Sequence, residues 1–598
     1  LDAAIAVNGP EDAPFDWRQV DWRRAEDEVR RLRQRIFTAS RAGDLARVRS
    51  LQKLMLRSRA NTLLSVRRVT ERNAGRVTAG VDGEVALTPE AKAKLADRVQ
   101  HPAEPFKALP VRRVYIPKRD SGTKRRPLGI PVLLDRCHQA RVASALEPEW
   151  EARFEPKSYG FRPGRGCHDA IAAIYVNANG KSPKRTWALD ADLASAFDKL
   201  AHNHLVQLLG TFPTRGMVKQ WLTAGVVEHG HLSPTEEGVP QGGVISPVLL
   251  NIALHGMEQA AGVRYHLTGT HAGWAKPGSP LVIRYADDLI ALCHTRQQAV
   301  EVKARLASWL APRGLVFNED KTRIVTLAEG FDFLGFNVRR YHGKLLIKPS
   351  KAAIRRIRER LRTEMRSLRG TNVSAVLRTI NPIIRGWSAY YRGAVSKETF
   401  SALDTYMWRL TYKWATYSHS NKSKCWVVNR YFGRFNRSRE GRWVFGDRAS
   451  GAYLLKFAWT RIVRHQLVTG TASPDDPALT GYWAARRAKV PPPTIGMASW
   501  APYQRQHGRC PFCGDWLLPA DGTPPTPHQW EQWLATTRKT IILVNRQSGT
   551  SDKTRLIHTH CHRRHTADEQ QTASTLLPRP PATRACLSRV RGNPPARF

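Results

Sequence analysis

The period of the apolar positions changes along this chain, and the changes divide it. After a small, Pro-containing start at residues 1–16, the stretch from Trp17 to Arg72 has a helical pattern dense in arginine. A turn-rich segment, Ala79-Gly-Val-Asp-Gly83, closes it. Residues 105–345 mix short runs of β propensity with helical patterns, which predicts an α+β unit. From Lys351 the helical period returns. Ile354, Ile357, Leu361, Met365 and Leu368 form one apolar stripe, while Lys351, Arg355, Arg356, Arg358, Arg362, Arg366 and Arg369 fill much of the remaining surface against Glu359 and Glu364. Residues 376–434 carry many aromatics, among them Trp387, Tyr390, Tyr391, Trp408, Trp414 and Tyr431; at that density most are expected to be packing. Pro491-Pro-Pro493 reads as a linker, and residues 570–598 are polar and Pro-rich, as a disordered tail would be. There is no internal repeat.

Two apolar runs flank Ala286-Asp287-Asp288 within Leu281-Val-Ile-Arg-Tyr-Ala-Asp-Asp-Leu-Ile-Ala-Leu292, which predicts a strand–turn–strand hairpin. Aspartate is welcome in any turn, so this feature alone says little. A second acidic strand end changes the weighting. In Arg185-Thr-Trp-Ala-Leu-Asp-Ala-Asp-Leu193, alternation sends Trp187, Leu189, Ala191 and Leu193 to one face, and Asp190 and Asp192 to the other. Converging strand ends rich in carboxylate suit Mg²⁺, which takes hard oxygen ligands. Two such ions, about 3.5–4 Å apart, clamp the attacking and leaving oxygens of a phosphoryl displacement.

Charge narrows the partners. Lys and Arg number 95 against 50 Asp and Glu, a formal net charge of +45. A field of that sign attracts phosphate polymers, whose counterions are released on binding. An anionic membrane is the poorer candidate because no apolar run is long enough to span one; no signal peptide is visible. Cys137, Cys167, Cys293 and Cys425 stand far apart, unlike a disulfide framework, so a reduced, cytoplasmic setting is expected. Cys510-Pro-Phe-Cys513 and His558-Thr-His-Cys561 are different. Two pairs with two-residue spacers suit a closed tetrahedral Zn²⁺ site, with Cys510, Cys513, His558 and Cys561 as preferred ligands and His560 as an alternative to His558.

Tyr285-Ala-Asp-Asp288 is similar to the signature of reverse transcriptases, and Asp192-Leu-Ala-Ser-Ala-Phe-Asp198 to that family's other metal motif. The resemblance selects Asp192 over Asp190 and implies catalysis by Asp192, Asp287 and Asp288 with two Mg²⁺. It implies a metal contact from the Leu193 main-chain carbonyl, and Phe197 beneath the sugar, rejecting a 2′-hydroxyl. Further blocks follow in the family's order. Arg125-Arg-Pro-Leu-Gly-Ile-Pro131 resembles the fingers motif whose Arg meets the triphosphate, here Arg126 with Lys118 as a second candidate. Ser158-Tyr-Gly-Phe-Arg-Pro-Gly164 resembles the next block. Gly238-Val-Pro-Gln-Gly-Gly243 resembles the loop under the templating base, with Gln241 as its contact and glycines that allow close approach to a nucleotide. Gly314-Leu-Val-Phe-Asn-Glu-Asp-Lys321 places Lys321 near the leaving phosphate, and Phe331-Asp-Phe-Leu-Gly-Phe336 resembles the primer-gripping hairpin.

Past this region, Ile380-Asn-Pro-Ile-Ile-Arg-Gly-Trp-Ser-Ala-Tyr-Tyr391 and the block Lys413–Tyr431 resemble the maturase, or thumb, region of group II intron proteins. The cysteine module resembles the HNH endonuclease tail of such proteins, with His562 directly after a zinc ligand. It departs from that pattern too: His528 is the lone His between the two cysteine blocks where the family shows a pair, and Lys553 stands near the place of the usual Asn. The resemblance implies a right-hand polymerase: an N-terminal basic helical extension of the fingers (1–80), fingers and palm with an antiparallel sheet (81–345), a helical thumb/maturase domain (346–435), a DNA-binding region and linker (436–500), a small zinc-binding ββα-metal module (501–566) and the tail (567–598). The implied partners are group II intron RNA, target DNA and dNTPs, with the cytoplasmic protein associating with the nucleoid when bound to DNA. A splicing maturase with a vestigial polymerase, and a reverse transcriptase of a defence-type system, are the alternative readings.

Overall fold

The computed structural model describes residues 15–117, 125–180, 184–266, 268–270, 273–436, 438–489, 497–514, 516–518, 524–544, 554–563 and 566. Lys118, Lys553 and the tail beyond residue 566 lie outside them.

The arginine-rich start folds as three helices, Trp22–Arg41, Leu45–Arg57 and Arg59–Arg67, whose first turns are capped by Asp21, Asp44 and Ser58. The break between the first two comes at Gly43, with φ at 75°. Ala25, Val29, Leu32 and Ile36 form the buried stripe of the first helix. It packs on Leu133–Glu151, a helix with buried positions all round. Glu149 there accepts from both Arg49 and Gln52. Buried residues between Trp17 and Val69 therefore share cores with the helix Leu133–Glu151.

The fingers sheet runs in the order Arg125–Ile130, Val111–Pro117, Val226–Glu228, His231–Ser233. The palm sheet is fully antiparallel, in the order Leu281–Tyr285, Asp288–Cys293, Trp187–Asp192, Arg323–Thr326. Both its faces are covered. Leu189, Ala191 and Leu289 join a core with the fingers helices, while Ala188, Ile290 and Leu292 join a second core shared with the thumb. Burial on both faces explains the near-continuous apolar runs of these strands.

A three-stranded sheet (Phe331–Phe333, Phe336–Tyr341, Lys344–Pro349) leads into thumb helices Lys351–Ser367, Val373–Tyr391, Lys397–Ser418 and Lys424–Tyr431. In the first of these Ile357, Leu361 and Met365 are buried, Ile354 and Leu368 are half-buried, and Arg355, Arg358, Arg362 and Arg366 are exposed. Tyr390 and Tyr391 reach back to the 333–336 turn, donating to Leu334 O at 2.8 Å and Gly335 O at 3.1 Å. The aromatic motif thus anchors the hairpin that precedes it by some fifty residues of chain.

Two C-terminal segments pack against the rest of the chain. Residues within 436–500 are tied down along the palm and fingers. Asp475 accepts from Arg33 and Asp476 from Arg41 at 2.7–2.8 Å, Asp169 accepts from His465 and Arg486, and Arg165 donates to Gly470 O and Ala472 O. Nor is the module at 501–566 a separate body. Helix Pro527–Thr540 lies along the thumb helix Val373–Tyr391, with Trp530 and Leu534 inside the thumb core. Arg360 forks onto Glu531 at 2.7 and 3.0 Å, and a Cβ added at Gly386 would stand 2.7 Å from the Glu531 backbone.

Candidate active site

Register puts the acids together. Asp192 at the end of one palm strand is the cross-strand partner of Asp288 at the start of the next. Directly opposed residues have Cβ atoms about 5 Å apart. Asp287 occupies the two-residue turn between Tyr285 and Asp288, whose first residue, Ala286, has φ at 58°. A positive φ at that position matches the twist of tight hairpins. Asp190, two residues back, faces Arg323 across the sheet and stands away from this tip. Burial pushes the Asp190 carboxyl up to about 6 despite the Arg323 charge.

The three acids repel one another in a poorly solvated place. Burial, then the charges of Asp287 and Asp192, hold the Asp288 carboxyl well above the ordinary range. Burial is also the largest influence raising Asp287, with Asp192 adding to it and Arg126 and Lys321 opposing. Lys321 Nζ donates to Asp192 Oδ2 at 2.7 Å, and Asn318 holds the same residue twice, through its N–H to Asp192 O at 2.8 Å and its side-chain amide to Oδ2 at 3.5 Å. Clustered carboxylates whose mutual repulsion is relieved by one partly exposed lysine are a donor set that fits a divalent cation.

The other expected contacts among the described residues are placed as follows. Arg126 lies on the fingers strand opposite Ile116, exposed, and near enough to act on Asp287. Phe197 sits in the short helix Ala196–Lys199, edge-on to the exposed Phe161 at 6.3 Å between ring centroids. Phe197 and Gln241 line one cleft with Arg113, Tyr115 and Asp198, and the Gln241 amide donates to Asp198 at 3.0 Å. Leu193 is buried beside Asp192 and bridges to Phe317. The glycines of the 238–243 loop lie against protein backbone. A Cβ at Gly238 would meet Asp198 O at 2.6 Å, and one at Gly242 would meet Gly129 O at 2.9 Å. They admit protein backbone and so fasten the loop between palm and fingers.

Sequence reasoning missed what supports the hairpin. Arg284 is buried, and its guanidinium donates to Asn251 Oδ1 at 3.0 Å, Ala286 O at 3.1 Å and Ser158 Oγ at 2.7 Å. Asn251 in turn donates to Gly160 O at 2.8 Å, and a Cβ at Gly160 would collide with Ala286 N. The signal available was a charged residue inside the apolar run Leu281–Tyr285.

At the other end of the chain, the ligand atoms of Cys510, Cys513, His558 and Cys561 lie within 4.8 Å of one another. His558 Nδ1 is 3.3 Å from Cys513 Sγ, while Nε2 donates to Trp516 O at 3.2 Å. Hydrogen bonding from Cys513 is the main influence holding the Cys510 thiol far below its usual range, against the effect of burial. His560 stacks on His558 at 5.1 Å. The structure does not bring His528 and His562 together. His528 is in the first turn of helix Pro527–Thr540, which spans roughly 20 Å before the strand that pairs with His558. There it contacts Glu531 at 3.5 Å and Gln532 at 3.2 Å.

A palm sheet whose strand ends converge three carboxylates, flanked by fingers and followed by a helical thumb, defines a template-directed nucleic-acid polymerase. Comparisons make this particular. Residues 116–338 match the family described as reverse transcriptase (RNA-dependent DNA polymerase), residues 17–99 the N-terminal domain of reverse transcriptase, and residues 354–432 the group II intron maturase-specific domain. Protein YkfC of Escherichia coli K12 is 32% identical over 338 residues, covering 51% of this chain and 87% of that protein. The group II intron-encoded protein LtrA of Lactococcus lactis subsp. cremoris is 38% identical over 154 residues, a quarter of each chain. A 91 kDa protein in the cob intron of Schizosaccharomyces pombe is 25% identical over 362 residues, 48% of this chain and 44% of that one. The chain belongs to the group II intron-encoded reverse transcriptase/maturase family, and its enzyme class is RNA-directed DNA polymerase. Among the described residues no helix is long and apolar enough to cross a membrane.

Proposed function

We propose that this protein copies the RNA of a mobile group II intron into DNA at a target site and binds that intron RNA to assist its splicing. The observation that carries the polymerase half is the register opposing Asp192 and Asp288 beside the turn residue Asp287. Two Mg²⁺ held by these acids and the Leu193 carbonyl would supply charge neutralisation for the attacking 3′-hydroxyl and the leaving pyrophosphate. The protein's own groups do the rest. Arg126 and Lys118 receive the triphosphate of the incoming dNTP. Lys321, which hydrogen-bonds Asp192 from a largely exposed position, serves the leaving phosphate. Phe197 closes the space beneath the sugar against a 2′-hydroxyl, and Gln241 supports the templating pair.

The exposed arginines of Lys351–Ser367 support the RNA-binding half, since the apolar stripe of that helix is already spent on the core. The Cys/His cluster supports a structural Zn²⁺ site. Three sulfurs and one imidazole are the right donor set, and the Nε2–Trp516 hydrogen bond leaves Nδ1 to face the metal. The order strand 541–544, strand 555–558, helical residues 559–563 supports an HNH-type module acting on target DNA, with His562 and His528 as its endonuclease candidates.

Primer extension on an RNA template tests the reading. The intact chain is expected to extend the primer with Mg²⁺, and Asp287→Ala to fall to background. Equal activity in both would leave only the RNA-binding role. A gene with no folded ribozyme around it would favour the defence-type alternative.

A further inference from the structure

Most aromatic side chains of the thumb are core, but Trp408 and Trp443 are not. They are 38% and 54% exposed and stand over a cleft of about 360 Å³ between helix Lys397–Ser418 and the small hairpin formed by Phe432–Gly433 and Val444–Phe445. Their ring centroids are 6.2 Å apart at 86°, which makes a two-sided seat, and Tyr412 stacks behind Trp408 at 5.6 Å. Met407, Phe445 and Leu454 floor the cleft. Asn381, on the neighbouring thumb helix, fixes the segment carrying Leu454 by donating to Tyr453 O at 3.0 Å and accepting from Leu455 N at 2.8 Å.

The rim carries a cation. Lys456 lines the cleft with its Nζ beside Gly441, and Arg409 and Arg442, the sequence neighbours of the two tryptophans, are exposed. Residues 397–456 hold twelve Lys and Arg against four Asp and Glu. Asp404 is the one acid among the lining residues, and its oxygens accept from Phe457 N and Ala458 N at 2.7 and 3.1 Å. An apolar floor with exposed indole faces and a cationic edge matches a base on a phosphate backbone. The ring takes the aromatic seat and the phosphate takes the rim. An apolar peptide would fill the floor and leave the cations unanswered.

We propose that this cleft binds an unstacked base of single-stranded RNA, seated on Trp443 and Trp408 with its phosphate on the Lys456 edge. The choice of RNA rests on the intron-RNA reading above, because the helical wall of the cleft lies within the maturase-specific match at 354–432.

The test uses the full chain and a short single-stranded RNA carrying 2-aminopurine, whose fluorescence is quenched when it stacks. Wild type is expected to quench the probe. Trp443→Ala and Trp408→Ala should each weaken binding about fivefold or more, the lower end of a base–aromatic stack. Trp443→Phe should retain most of the affinity, and Trp443→Ala should keep its primer-extension rate. Equal affinity in wild type and Trp443→Ala would overturn the seat while leaving the RNA-binding reading intact. Quenching with the DNA version of the probe and none with RNA would overturn the choice of ligand. Failure of wild type to bind any RNA would overturn both this seat and the reading it rests on.

Discussion

Arg284 and Asn251 meet inside the palm, guanidinium to side-chain carbonyl at 3.0 Å, and together they hold the turn that carries Asp287. Arg284 also bonds Ala286 O from within its own hairpin, so the turn is fixed from inside while Asn251 and Ser158 fix it from a neighbouring helix and loop. Burial lowers the Arg284 guanidinium to about 10, so it is charged throughout the physiological range. Lysine has three donors but on a single nitrogen, and lacks the planar fork that spreads the guanidinium over these separate acceptors. Arg284→Lys is therefore expected to lower kcat for primer extension by one to two orders of magnitude, about 1–3 kcal/mol for buried acceptors left unmet. KM for the primer–template and RNA affinity should hold. A parallel fall in RNA affinity would mean general misfolding and not a displaced turn.

Lys321 is the cation that hydrogen-bonds Asp192. Its pKa is raised, chiefly by that hydrogen bond. Lys321→Met removes this counter-charge from a cluster of three carboxylates. The metal-free protein should lose about 1 kcal/mol or less, as partly exposed pairs do. Added Mg²⁺ should then raise Tm by more in the variant than in wild type, because a cation that must no longer displace an amine binds more favourably. An identical Mg²⁺-dependent rise in both proteins would show that Lys321 and the ion do not compete.

Phe197 meets Phe161 edge to face at the floor of the cleft it shares with Gln241. Phe161 is held there with φ at 59°, a conformation uncommon for an aromatic residue. Phe197→Ala should open space under the sugar and increase ribonucleotide incorporation by at least tenfold relative to dNTP incorporation, read by single-nucleotide extension. Unchanged discrimination would assign sugar selection to another residue.

Strand alternation is a local rule, and it put Asp190 and Asp192 together on one face of a strand end; the resemblance to the reverse-transcriptase motif, not alternation, singled out Asp192. The turn follows from two apolar runs flanking Ala286-Asp287-Asp288. The thumb's dominant stripe was legible for the same reason. The protein contacts of the glycine loop were not legible because a sequence records that something approaches closely but not what does; at Gly238 and Gly242 another stretch of backbone does. The docking of Pro527–Thr540 was invisible because its partner lies far upstream. Gly386 in the middle of a helix was its one trace.

That glycine gives a direct probe of the docking. Gly386→Ala places a methyl 2.7 Å from the Glu531 backbone, where neither helix has a flexible side chain to yield. Overpacking of this kind costs about 1–3 kcal/mol. Helix Pro527–Thr540 should loosen and the Arg360–Glu531 pair with it, so hydrogen exchange across residues 527–540 should quicken while the palm strands stay protected. Unaltered exchange would mean the helices already have room to part.

Metal removal should divide the C-terminal module at a definite place. The hairpin 541–544/555–558 and the Cys510–Cys513 loop have a small core of their own, built from Tyr503, Leu517, Leu556 and Ile557. Helix Pro527–Thr540 instead buries Trp530 and Leu534 in the thumb core. A core that small depends on its metal. One Zn²⁺ per chain is expected by elemental analysis, and Cys513→Ser or a strong chelator should remove it. Protease should then cut within residues 497–518 and 541–563 while 527–540 stays protected by the thumb. Protection lost equally across all three segments would show that the metal, and not Trp530 and the Arg360–Glu531 pair, holds that helix in place.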